Sequence, residues 1–290
     1  MRNKHPDEPP LIRVTGLPQG MNTADRRQFI LDRLESSSTG TYEEFATALG
    51  VSTMTVRRDL EELIRQGSVI KTVGGVQKAQ APSYLYETAL HSRVAVRRPE
   101  KRAIARLALD LIGPGQTIFV DGSTTCLELA RVLAKEKQGL TIVTNSALAC
   151  LELGENSANT IVGIGGHYDA NSLSYVGPQA EDWAKTLFVD VAFVGTKGIV
   201  PAKGTFESSL PTFRIKQIIA RQCGQLVLLA DHSKFGQRAL SKVLDIGQIH
   251  TVVTDDRTSR ADLAQLEKKV RRVLVAPVRR PTLKGTAHAA

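Results

Sequence analysis

Two adjacent arginines, Arg57 and Arg58, stand in a stretch with helical periodicity. Val56 and Leu60 fall on one face at helical spacing, which predicts a buried stripe that leaves both arginines outside it. Ser52 is the predicted N-cap, so the free backbone N–H groups and the positive end of the helix dipole lie beside polar residues. Such a helix can enter a DNA major groove, where arginines reach guanine O6 and N7 or phosphate oxygens. Taken alone, the stretch fits an ordinary amphipathic surface helix with a solvated arginine pair equally well.

The residues on either side favour the DNA-binding interpretation. A first helix is predicted over residues 22–35, and a capping-box pattern at Thr41 opens a short second helix. Residues 68–77 form two short runs around a Gly-Gly turn, which predicts a β-hairpin. Three helices and a hairpin make a winged helix-turn-helix, in which Lys71 is placed to touch phosphates. The predicted DNA-binding residues are Thr41, Ser52, Thr53, Met54, Thr55, Arg57, Arg58 and Lys71.

Beyond about residue 100, short apolar runs alternate with helical patterns. The predicted strands cover residues 117–120, 140–143, 160–164, 189–194, 226–229, 251–253 and 273–275. The predicted helices cover residues 99–111, 125–133, 146–153, 179–187, 211–222 and 261–270. Continuous apolar strands between helices predict a mostly parallel, Rossmann-like sheet covered on both faces. The predicted fold is therefore an α/β domain preceded by a small winged helix-turn-helix domain.

Glycines, small hydroxyl residues and lysines follow five of these strands at their carboxyl ends. In an open α/β sheet those ends meet at one edge, where ligands bind. Glycine lets backbone amides approach a ligand, hydroxyls and helix N-termini bind oxyanions, and lysines balance their charge. One such strand end is more often just a capped turn, but five together predict a site for a phosphorylated, polyhydroxylated small molecule. The predicted ligand-binding residues at these ends are Asp121, Gly122, Ser123, Thr124, Thr125, Thr144, Asn145, Ser146, Gly165, Gly166, Lys197 and Lys234.

Several runs resemble one family. Leu-Gly-Val-Ser at residues 49–52, Thr-Val-Arg-Arg-Asp-Leu at residues 55–60 and the following Gly-Gly resemble the signature of the DeoR family of bacterial transcriptional regulators. At the hairpin this chain has Val73 where the family usually has a histidine, so a contact from that histidine is not expected.

The second half resembles the sensor domain of the same family, which is similar to ribose-5-phosphate isomerase and CoA-transferase folds. The resemblance rests on runs such as Asp-Gly-Ser-Thr-Thr at residues 121–125 and Ser-Lys-Phe-Gly at residues 233–236, and in all it covers about residues 23–255. It implies a sugar-phosphate effector at the strand ends, and it adds Lys216 to the predicted effector-binding residues.

Two stretches of the sensor half depart from the family pattern. The family often has acidic residues shortly before the lysine that matches Lys216, where this chain has Pro211 and Thr212. It often has an arginine after the Gly-Gly pair, where this chain has His167 and Tyr168. A missing carboxylate and a missing cation both change the polarity that a ligand meets, which predicts an effector other than a common aldose or ketose phosphate.

The net charge of +9 does not by itself indicate DNA binding. Residues 1–80 carry eleven basic and ten acidic side chains, a net of +1, so the inference rests on local pattern. The three cysteines have no metal-ligand spacing, and no metal or cofactor is predicted. No apolar run suits a membrane span or a signal peptide, which predicts a cytoplasmic protein without a membrane partner. The predicted domains are a disordered arm (1–21), the winged helix-turn-helix (22–78), a linker (79–99), the sensor (100–276) and a basic flexible tail (277–290).

Together these patterns predict a transcriptional regulator that binds double-stranded operator DNA and a phosphorylated, sugar-like metabolite. Repression of a sugar or polyol catabolic operon, relieved by the effector, is the expected mode, and activation is the alternative. A sugar-phosphate isomerase with Asp121 and Lys216 as an acid–base pair is a further, less favoured alternative. Operator palindromy calls for at least a homodimer, and a homotetramer also fits. Trp183, Phe188 and Phe193 are predicted to lie in the core.

Overall fold

The computed structural model divides the chain into two compact units, residues 1–80 and residues 81–290. The residues that it describes are 21–37, 39–65, 68–72, 74–78, 90–155 and 158–278. The predicted arm up to residue 20, the linker from 79 to 89 and the tail from 279 onward lie outside the described residues, as does Val73.

The first unit contains three helices and a three-stranded antiparallel sheet. Its elements are α1 (Thr23–Ser37), β1 (Thr39–Gly40), α2 (Tyr42–Leu49), α3 (Thr53–Arg65), β2 (Val69–Thr72) and β3 (Gly75–Lys78). The sheet order is β1-β3-β2. This is the predicted winged helix-turn-helix, extended by a two-residue strand that is too short for its sequence to indicate.

Capping residues and glycines set the bounds of these elements. Thr41 accepts a hydrogen bond from the Glu44 amide while the Glu44 side chain accepts one from the Thr41 amide, which completes the predicted capping box. Gly50 ends α2 in the left-handed region with a φ of 63°, which glycine adopts without strain. A Cβ on Gly75 would meet the carbonyl oxygen of Gly40 at 2.5 Å, so the pairing of β3 with β1 requires glycine there.

The core of the first unit lies under α3. Ile30, Leu34 and Phe45 pack there against Val56 and Leu60, the two residues of the predicted stripe. Burying each of these large apolar side chains contributes roughly 1.5–3 kcal/mol. The stripe therefore fixes which face of α3 turns inward and which faces solvent.

The second unit alternates strands and helices. Its strands are β4 (Thr117–Val120), β5 (Thr141–Thr144), β6 (Thr160–Gly163), β7 (His167–Asp169), β8 (Ser174–Val176), β9 (Val189–Gly195), β10 (Gly198–Val200), β11 (Gly204–Glu207), β12 (Cys223–Leu229), β13 (Ser241–Leu244), β14 (Thr251–Asp255) and β15 (Arg272–Ala276). Its helices are α4 (Leu90–Val94), α5 (Arg98–Ala108), α6 (Thr124–Glu136), α7 (Ala147–Gly154), α8 (Pro178–Thr186), α9 (Leu210–Ile219) and α10 (Arg260–Glu267).

Seven of these strands form one parallel sheet in the order β15-β14-β12-β9-β4-β5-β6. Alternate residues of each strand enter opposite cores: Ile118 and Phe193 pack with α5, α6 and α7, whereas Phe119 and Ala192 pack on the other face. Burial of both faces explains why the strands read as continuous apolar runs, and it confirms the predicted fold class.

Two small antiparallel sheets extend the carboxyl edge. β7 pairs with β8, and β10, β11 and β13 form a second sheet in that order. The sequence analysis did not predict these five strands, because each is only three or four residues long and most lack an apolar run.

The prediction that three aromatic residues lie in the core is correct for only one of them. Phe193 is fully buried, but Trp183 is 42 % exposed and Phe188 is 66 % exposed. α8 packs inward through Ala180 and Ala184, so Trp183 stands on its outer side. No helix of the described ranges is long and apolar enough to cross a membrane.

Candidate functional site

The outer face of α3 carries the predicted DNA-binding side chains. Thr53, Met54, Arg57 and Arg58 are all exposed. Ser52 caps the helix: its Oγ accepts a hydrogen bond from the Thr55 amide at 3.2 Å. The helix therefore presents a polar, capped N-terminal end and two guanidinium groups on one solvent-facing surface, as a major-groove reader does.

Some predicted DNA-binding residues also hold the local structure. The Thr55 hydroxyl lies 2.9 Å from the Ser52 hydroxyl, and Thr55 is half-buried. The Thr41 hydroxyl is engaged in the capping box of α2. Lys71 is exposed on β2, in the hairpin.

An aromatic ring restrains one of the two arginines. The guanidinium carbon of Arg57 lies 5.9 Å from the centroid of the Tyr42 ring, within the range of a cation–π interaction. Arg57 and Arg58 thus differ, although they are neighbours in sequence: Arg57 has its side chain placed by α2.

A buried carboxylate ties α3 to α1. Asp59 accepts hydrogen bonds from Arg26 Nε at 2.9 Å and from Arg27 Nε at 3.1 Å. Arg26 also donates to the carbonyl oxygen of Met21 at 3.0 Å. These bonds fix the packing of the first helix against the recognition helix. Asp59 is not among the residues predicted from the sequence, since an acidic residue inside a helix gives no sign of its partners.

The second unit holds a cleft at the carboxyl edge of its large sheet. Its volume is about 600 Å³ including the open mouth. The predicted residues that line it are Asp121, Gly122, Ser123, Thr124, Thr125, Asn145, Lys197, Lys216 and Lys234. These side chains come from four strand ends and one helix, α9, so the sheet topology brings them together.

Lys216 lies at the base of the cleft between two carboxylates. Its Nζ is 3.2 Å from Asp121 Oδ2, contacts Glu207 Oε1, and donates to the Gly195 carbonyl oxygen at 2.9 Å. Burial lowers the pKa of Lys216, but the charges of Asp121 and Glu207 outweigh burial and the net pKa is raised. Glu207 supplies from β11 the carboxylate that the sequence analysis considered missing near Pro211 and Thr212. The start of α9 itself has no acidic residue, and the partner of Lys216 comes from a strand instead.

Asp121 is held as an anion. Burial raises its pKa, but the charge of Lys216 and hydrogen bonds from Ser123 and Gly195 outweigh burial, and the net pKa is lowered. The Ser123 amide donates to Asp121 Oδ1 at 2.7 Å and the Gly195 amide to Oδ2 at 2.9 Å. The carboxylate thus fixes the turn at which α6 begins.

The start of α6 is the part of the cleft best suited to an oxyanion. Ser123 is the N-cap, and its hydroxyl accepts a hydrogen bond from the Cys126 amide at 3.3 Å. Thr124 and Thr125 occupy the first turn, where backbone N–H groups have no intrahelical acceptor. A phosphate or carboxylate near this turn gains both the free N–H groups and the helix dipole.

Asn145 has one buried polar atom without a hydrogen-bond partner in the described part of the chain. Its Nδ2 donates to the Tyr175 carbonyl oxygen at 3.2 Å, which fixes the orientation of the amide because only the nitrogen can donate. Its Oδ1 has no hydrogen-bond partner among the described residues, although Asn145 is only 4 % exposed and lines the cleft. A ligand in the cleft that offers a hydroxyl or amine proton would satisfy this acceptor.

Four predicted residues do not line the cleft. The Thr144 hydroxyl donates to the Val120 carbonyl oxygen at 2.6 Å, and Ser146 caps α7. Gly165 lies after β6, and a Cβ on Gly166 would meet the Cβ of Ala180 at 2.9 Å. The structure gives Thr144 and Ser146 roles at the strand end itself, and Gly166 allows α8 to pack closely.

Seven further residues line the cleft that the sequence analysis did not assign to it. They come from α4, from the turn between β7 and β8, from the first residue of β8, from the end of β9, from β11 and from α9: Arg93, Ser172, Ser174, Thr196, Glu207, Thr212 and Ile215. Thr196 follows a predicted strand. None of the other six residues lies at the end of a predicted strand, so their position in the sequence does not indicate the cleft.

A buried polar cluster lies beside the cleft, around the start of α5. His232 Nδ1 is 2.9 Å from Asp255 Oδ1, and His232 Nε2 is 3.1 Å from Arg97 Nη1. Arg97 Nε is 4.0 Å from Asp231 Oδ1. Burial raises the pKa of Asp231, but the positive charge of Lys234 and a hydrogen bond from Ser233 outweigh it, and the net pKa is lowered.

The described parts of the chain contain no set of side chains suited to bind a metal ion. No group of three or more His, Cys, Asp or Glu side chains is placed to hold an ion there. Cys126 is buried, whereas Cys150 and Cys223 are half-buried, and all three are free thiols.

Comparison with known proteins identifies both units. The DeoR-like helix-turn-helix domain matches residues 26–81, and the DeoR C terminal sensor domain matches residues 97–256. The chain belongs to the DeoR family of transcriptional regulators. As a member of this family it is a DNA-binding regulator of transcription, and its second unit is a sensor domain suited to binding an effector.

Curated relatives of this DeoR-family chain align over most of its length. The HTH-type transcriptional regulator YgbI of Escherichia coli is 33 % identical over 88 % of this chain and 99 % of its own. The transcriptional repressor AccR of Agrobacterium fabrum is 29 % identical over 88 % of this chain and 97 % of its own. The L-fucose operon activator of Escherichia coli is 29 % identical over 81 % of this chain and 96 % of its own.

Solved structures similar to the DeoR-family chain are more distant. Ribose 5-phosphate isomerase A from Neisseria gonorrhoeae is 17 % identical, with 48 % of this chain and 53 % of that chain covered and a TM-score of 0.35. The beta subunit of eIF2B from Chaetomium thermophilum is 10 % identical, with 86 % and 70 % covered and a TM-score of 0.39.

Proposed function

We propose that this regulator represses a sugar or polyol catabolic operon and that a phosphorylated, hydroxylated metabolite in the cleft relieves the repression. The winged helix-turn-helix reads the operator through α3, and the ligand acts by binding more tightly to the form that has low affinity for DNA. A palindromic operator is read by at least a homodimer, and a homotetramer fits as well.

Two features of the cleft carry the proposed ligand class: its lysines, and the oxygen of Asn145, which lacks a hydrogen-bond partner among the described residues. Lys197 and Lys234 line the same cleft as the first turn of α6. The two positive charges and the free N–H groups of that turn together suit a phosphate. Asn145 Oδ1 needs a donor, which a ligand hydroxyl supplies. A ligand that carries both a phosphate and hydroxyls is a sugar phosphate or a polyol phosphate.

The charge states in the cleft support binding rather than catalysis. A general acid or base works best when its pKa lies near the operating pH. The pKa of Asp121 is lowered despite burial, through Lys216 and two amides, and the pKa of Lys216 is raised by its two carboxylates. Both groups therefore stay charged at neutral pH, which disfavours the isomerase alternative. An isomerase assay with aldose and ketose phosphates is expected to show no turnover.

Thermal unfolding against a panel of sugar phosphates, sugar acids and free sugars tests the ligand class. A ligand at a hundred times its dissociation constant adds roughly 2.7 kcal/mol of stability, which shifts the transition measurably. We expect a shift from a phosphorylated member and none from its free sugar. A shift caused only by unphosphorylated or carboxylated compounds would contradict the proposed phosphate site.

Gel shifts on the DNA upstream of the regulated genes test the proposed reading helix. Replacing Arg57 or Arg58 by alanine is expected to weaken specific binding by roughly 1–3 kcal/mol if that side chain makes a bidentate base contact. Lys71→Ala is expected to weaken binding to all sequences alike and to reduce the salt slope by about 1. If both arginine variants bind normally, α3 is not the reading helix.

Activation of transcription remains a second candidate mode, because one of the aligned relatives is an activator of the L-fucose operon. A reporter gene under the chain's own operator separates the two modes. Deleting the regulator raises expression if it is a repressor and lowers expression if it is an activator.

A further inference from the structure

Helix α4 belongs to the wall of the cleft, although it lies far in sequence from the strand ends. It spans only Leu90–Val94 and is the first described element of the second unit. Arg93 on this helix lines the cleft together with Lys234 and the residues at the start of α6. A cation on the first described helix of the second unit therefore lines the proposed ligand site.

The first residue of α4 is attached to one loop of the cleft. The Leu90 amide donates to the Asn171 carbonyl oxygen at 2.8 Å, and the Leu90 side chain is buried. The same loop provides Ser172 to the cleft, and β8, which follows it, provides Ser174. Asp169 stiffens it, since its carboxylate accepts hydrogen bonds from the Ser172 amide and hydroxyl. A displacement of this loop is thus passed to the start of α4.

The other end of α4 is attached to α5 and through it to a second loop of the cleft. Lys101 Nζ donates to the Arg93 carbonyl oxygen at 2.5 Å, and Lys101 is only 2 % exposed. Arg97, in the turn between the two helices, contacts His232 and approaches Asp231, next to the cleft residue Lys234.

The turn between α4 and α5 is held in an unusual backbone conformation. Arg97 has a φ of 53°, in the left-handed region that residues other than glycine rarely adopt. Such a conformation persists only where the surrounding contacts enforce it. The buried contacts of the Arg97 side chain provide that constraint. α4 is therefore fixed to the cleft at both ends and not merely adjacent to it.

We propose that Arg93 binds the anionic group of the effector and that α4 relays occupancy of the cleft to the segment that joins the two units. This inference rests on the proposed function, because it takes the cleft to be the effector site. Arg93 is the cleft cation that lies nearest in sequence to the DNA-binding unit, so a ligand that binds its guanidinium acts on the first described helix after that unit.

The test uses the full-length protein and a set of aldose, ketose and polyol phosphates, with inorganic phosphate and the free sugars beside them. Calorimetry gives the affinity of each compound for the wild type, Arg93→Met, Arg93→Lys and a control, Arg106→Met. Arg106 lies on α5 in an exposed ion pair with Glu136 and does not line the cleft. We expect Arg93→Met to bind the phosphorylated ligand at least about tenfold more weakly, because a charge-assisted hydrogen bond is lost, and Arg93→Lys to restore part of the affinity. The control is expected to match the wild type.

The relay has its own variant and its own measurements. Lys101→Met removes the bond to the Arg93 carbonyl oxygen without changing a residue that lines the cleft. Ligand affinity is expected to stay within about threefold of the wild type, whereas the ratio of operator affinities without and with saturating ligand falls toward one; couplings of this kind are typically about 5–150-fold. Hydrogen exchange of residues 90–97 is expected to slow on ligand binding in the wild type and to change less in the variant.

Three failures are distinguishable. If no compound of the set binds to the wild type, the proposed effector function is wrong and the role of Arg93 falls with it. If a phosphorylated compound binds equally well to the wild type and Arg93→Met, the contact with Arg93 is refuted while the proposed function stands. If Lys101→Met keeps the full operator response, α4 is not the relay.

Discussion

The two units bury charge in opposite arrangements. In the DNA-binding unit, one carboxylate, Asp59, is shared by two arginines, Arg26 and Arg27. In the sensor, one ammonium group, that of Lys216, is shared by the carboxylates of Asp121 and Glu207. In both clusters two opposite charges surround one central charge. The cluster of the DNA-binding unit therefore has a net positive charge, and that of the sensor a net negative one.

The burial of these charges, rather than their sign, fits the different ligands of the two units. Phosphates of DNA are met by many exposed cations, whose attractions are individually small and depend on salt. The first unit can therefore leave Arg57 and Arg58 in solvent and use its buried charge only to hold two helices together. A small ligand is bound in a cleft by a few positioned groups, and the sensor accordingly buries its central lysine and its partners.

Removing the central lysine is the strongest way to break this comparison. Lys216→Met leaves two buried carboxylates facing each other, and we expect a loss of roughly 3–5 kcal/mol in the free energy of unfolding near neutral pH. The pKa of Asp121 is lowered in the folded protein, against the effect of burial, through Lys216 and hydrogen bonds. That stabilising contribution is present above the unfolded pKa and is lost as pH falls through the folded pKa, so the gap between wild type and variant narrows in acid.

Urea unfolding at several pH values measures this effect. Lys242→Met is the matched control, because Lys242 pairs with Asp245 at the surface and such a pair contributes about 0–1 kcal/mol. Equal losses in the two variants would mean that the buried cluster is no stronger than a surface pair.

Lys101 is a second buried lysine of the sensor, and it sharpens the comparison with Lys216. Among the described residues no carboxylate hydrogen-bonds to Lys101. The pKa of Lys101 is lowered to about 7: burial is the main cause, Lys234 and Arg93 also lower it, and Asp231 and Glu128 partly oppose the shift. Between that pKa and the ordinary value of 10.5 the unfolded chain binds more protons than the folded one. The contribution of Lys101 therefore becomes less destabilising as pH rises, by roughly 1.4 kcal/mol for each pH unit within this window.

The variant Lys101→Met is expected to flatten this part of the stability profile. It should gain stability relative to the wild type below pH 7 and lose that advantage as pH rises above the pKa of about 7. Chemical unfolding at a series of pH values from slightly acid to alkaline gives the two profiles. Parallel profiles would show that Lys101 titrates normally in the folded protein.

Breaking the cluster of the DNA-binding unit should have a smaller effect. Asp59→Asn leaves Arg26 and Arg27 without their shared carboxylate, but their side chains are 14 % and 30 % exposed and can reach water. We expect a loss of roughly 1–3 kcal/mol, measured by urea unfolding and reported by far-ultraviolet circular dichroism. Asp32→Asn on α1, whose carboxylate accepts only a surface hydrogen bond from Gln28 in the described contacts, is expected to change stability by less than about 0.5 kcal/mol.

The smallest expected effect concerns the ring that places Arg57. Tyr42→Leu removes the cation–π contact and should weaken operator binding by about 0.5–1 kcal/mol, roughly two- to fivefold, whereas Tyr42→Phe keeps the ring and the affinity. Fluorescence anisotropy with labelled operator DNA measures both variants. If Tyr42→Phe loses as much affinity as Tyr42→Leu, the hydroxyl rather than the ring is responsible.

The sequence predicted the elements with strong periodicity and missed those without it. Strand β4 has the predicted bounds, and most strands of the large sheet agree to within one or two residues, because burial on both faces requires an apolar run. Strands such as β7, with the sequence His-Tyr-Asp, are stabilised by a single neighbour and leave no such pattern. Trp183 was assigned to the core from its residue type, whereas the helical phase of Ala180 and Ala184 decides its position.

The residues of the candidate site also fall into those that the sequence indicates and those that it does not. Residues that directly follow the central strands, such as Asp121 and Asn145, could be found because parallel topology gathers strand ends at one edge. Glu207 and Arg93 could not, since they come from a small antiparallel sheet and from a helix before the first strand, and only tertiary packing brings them to the cleft.

The exposed position of Trp183 has a practical consequence for spectroscopy. It is the single tryptophan of the chain, and it lies on the outer side of α8 in the sensor. Tryptophan emission therefore reports on the sensor alone, and melting of the DNA-binding unit is silent in that signal. Because the indole is already partly in water, a blue shift at rising protein concentration would mark another surface covering α8 rather than a change in folding.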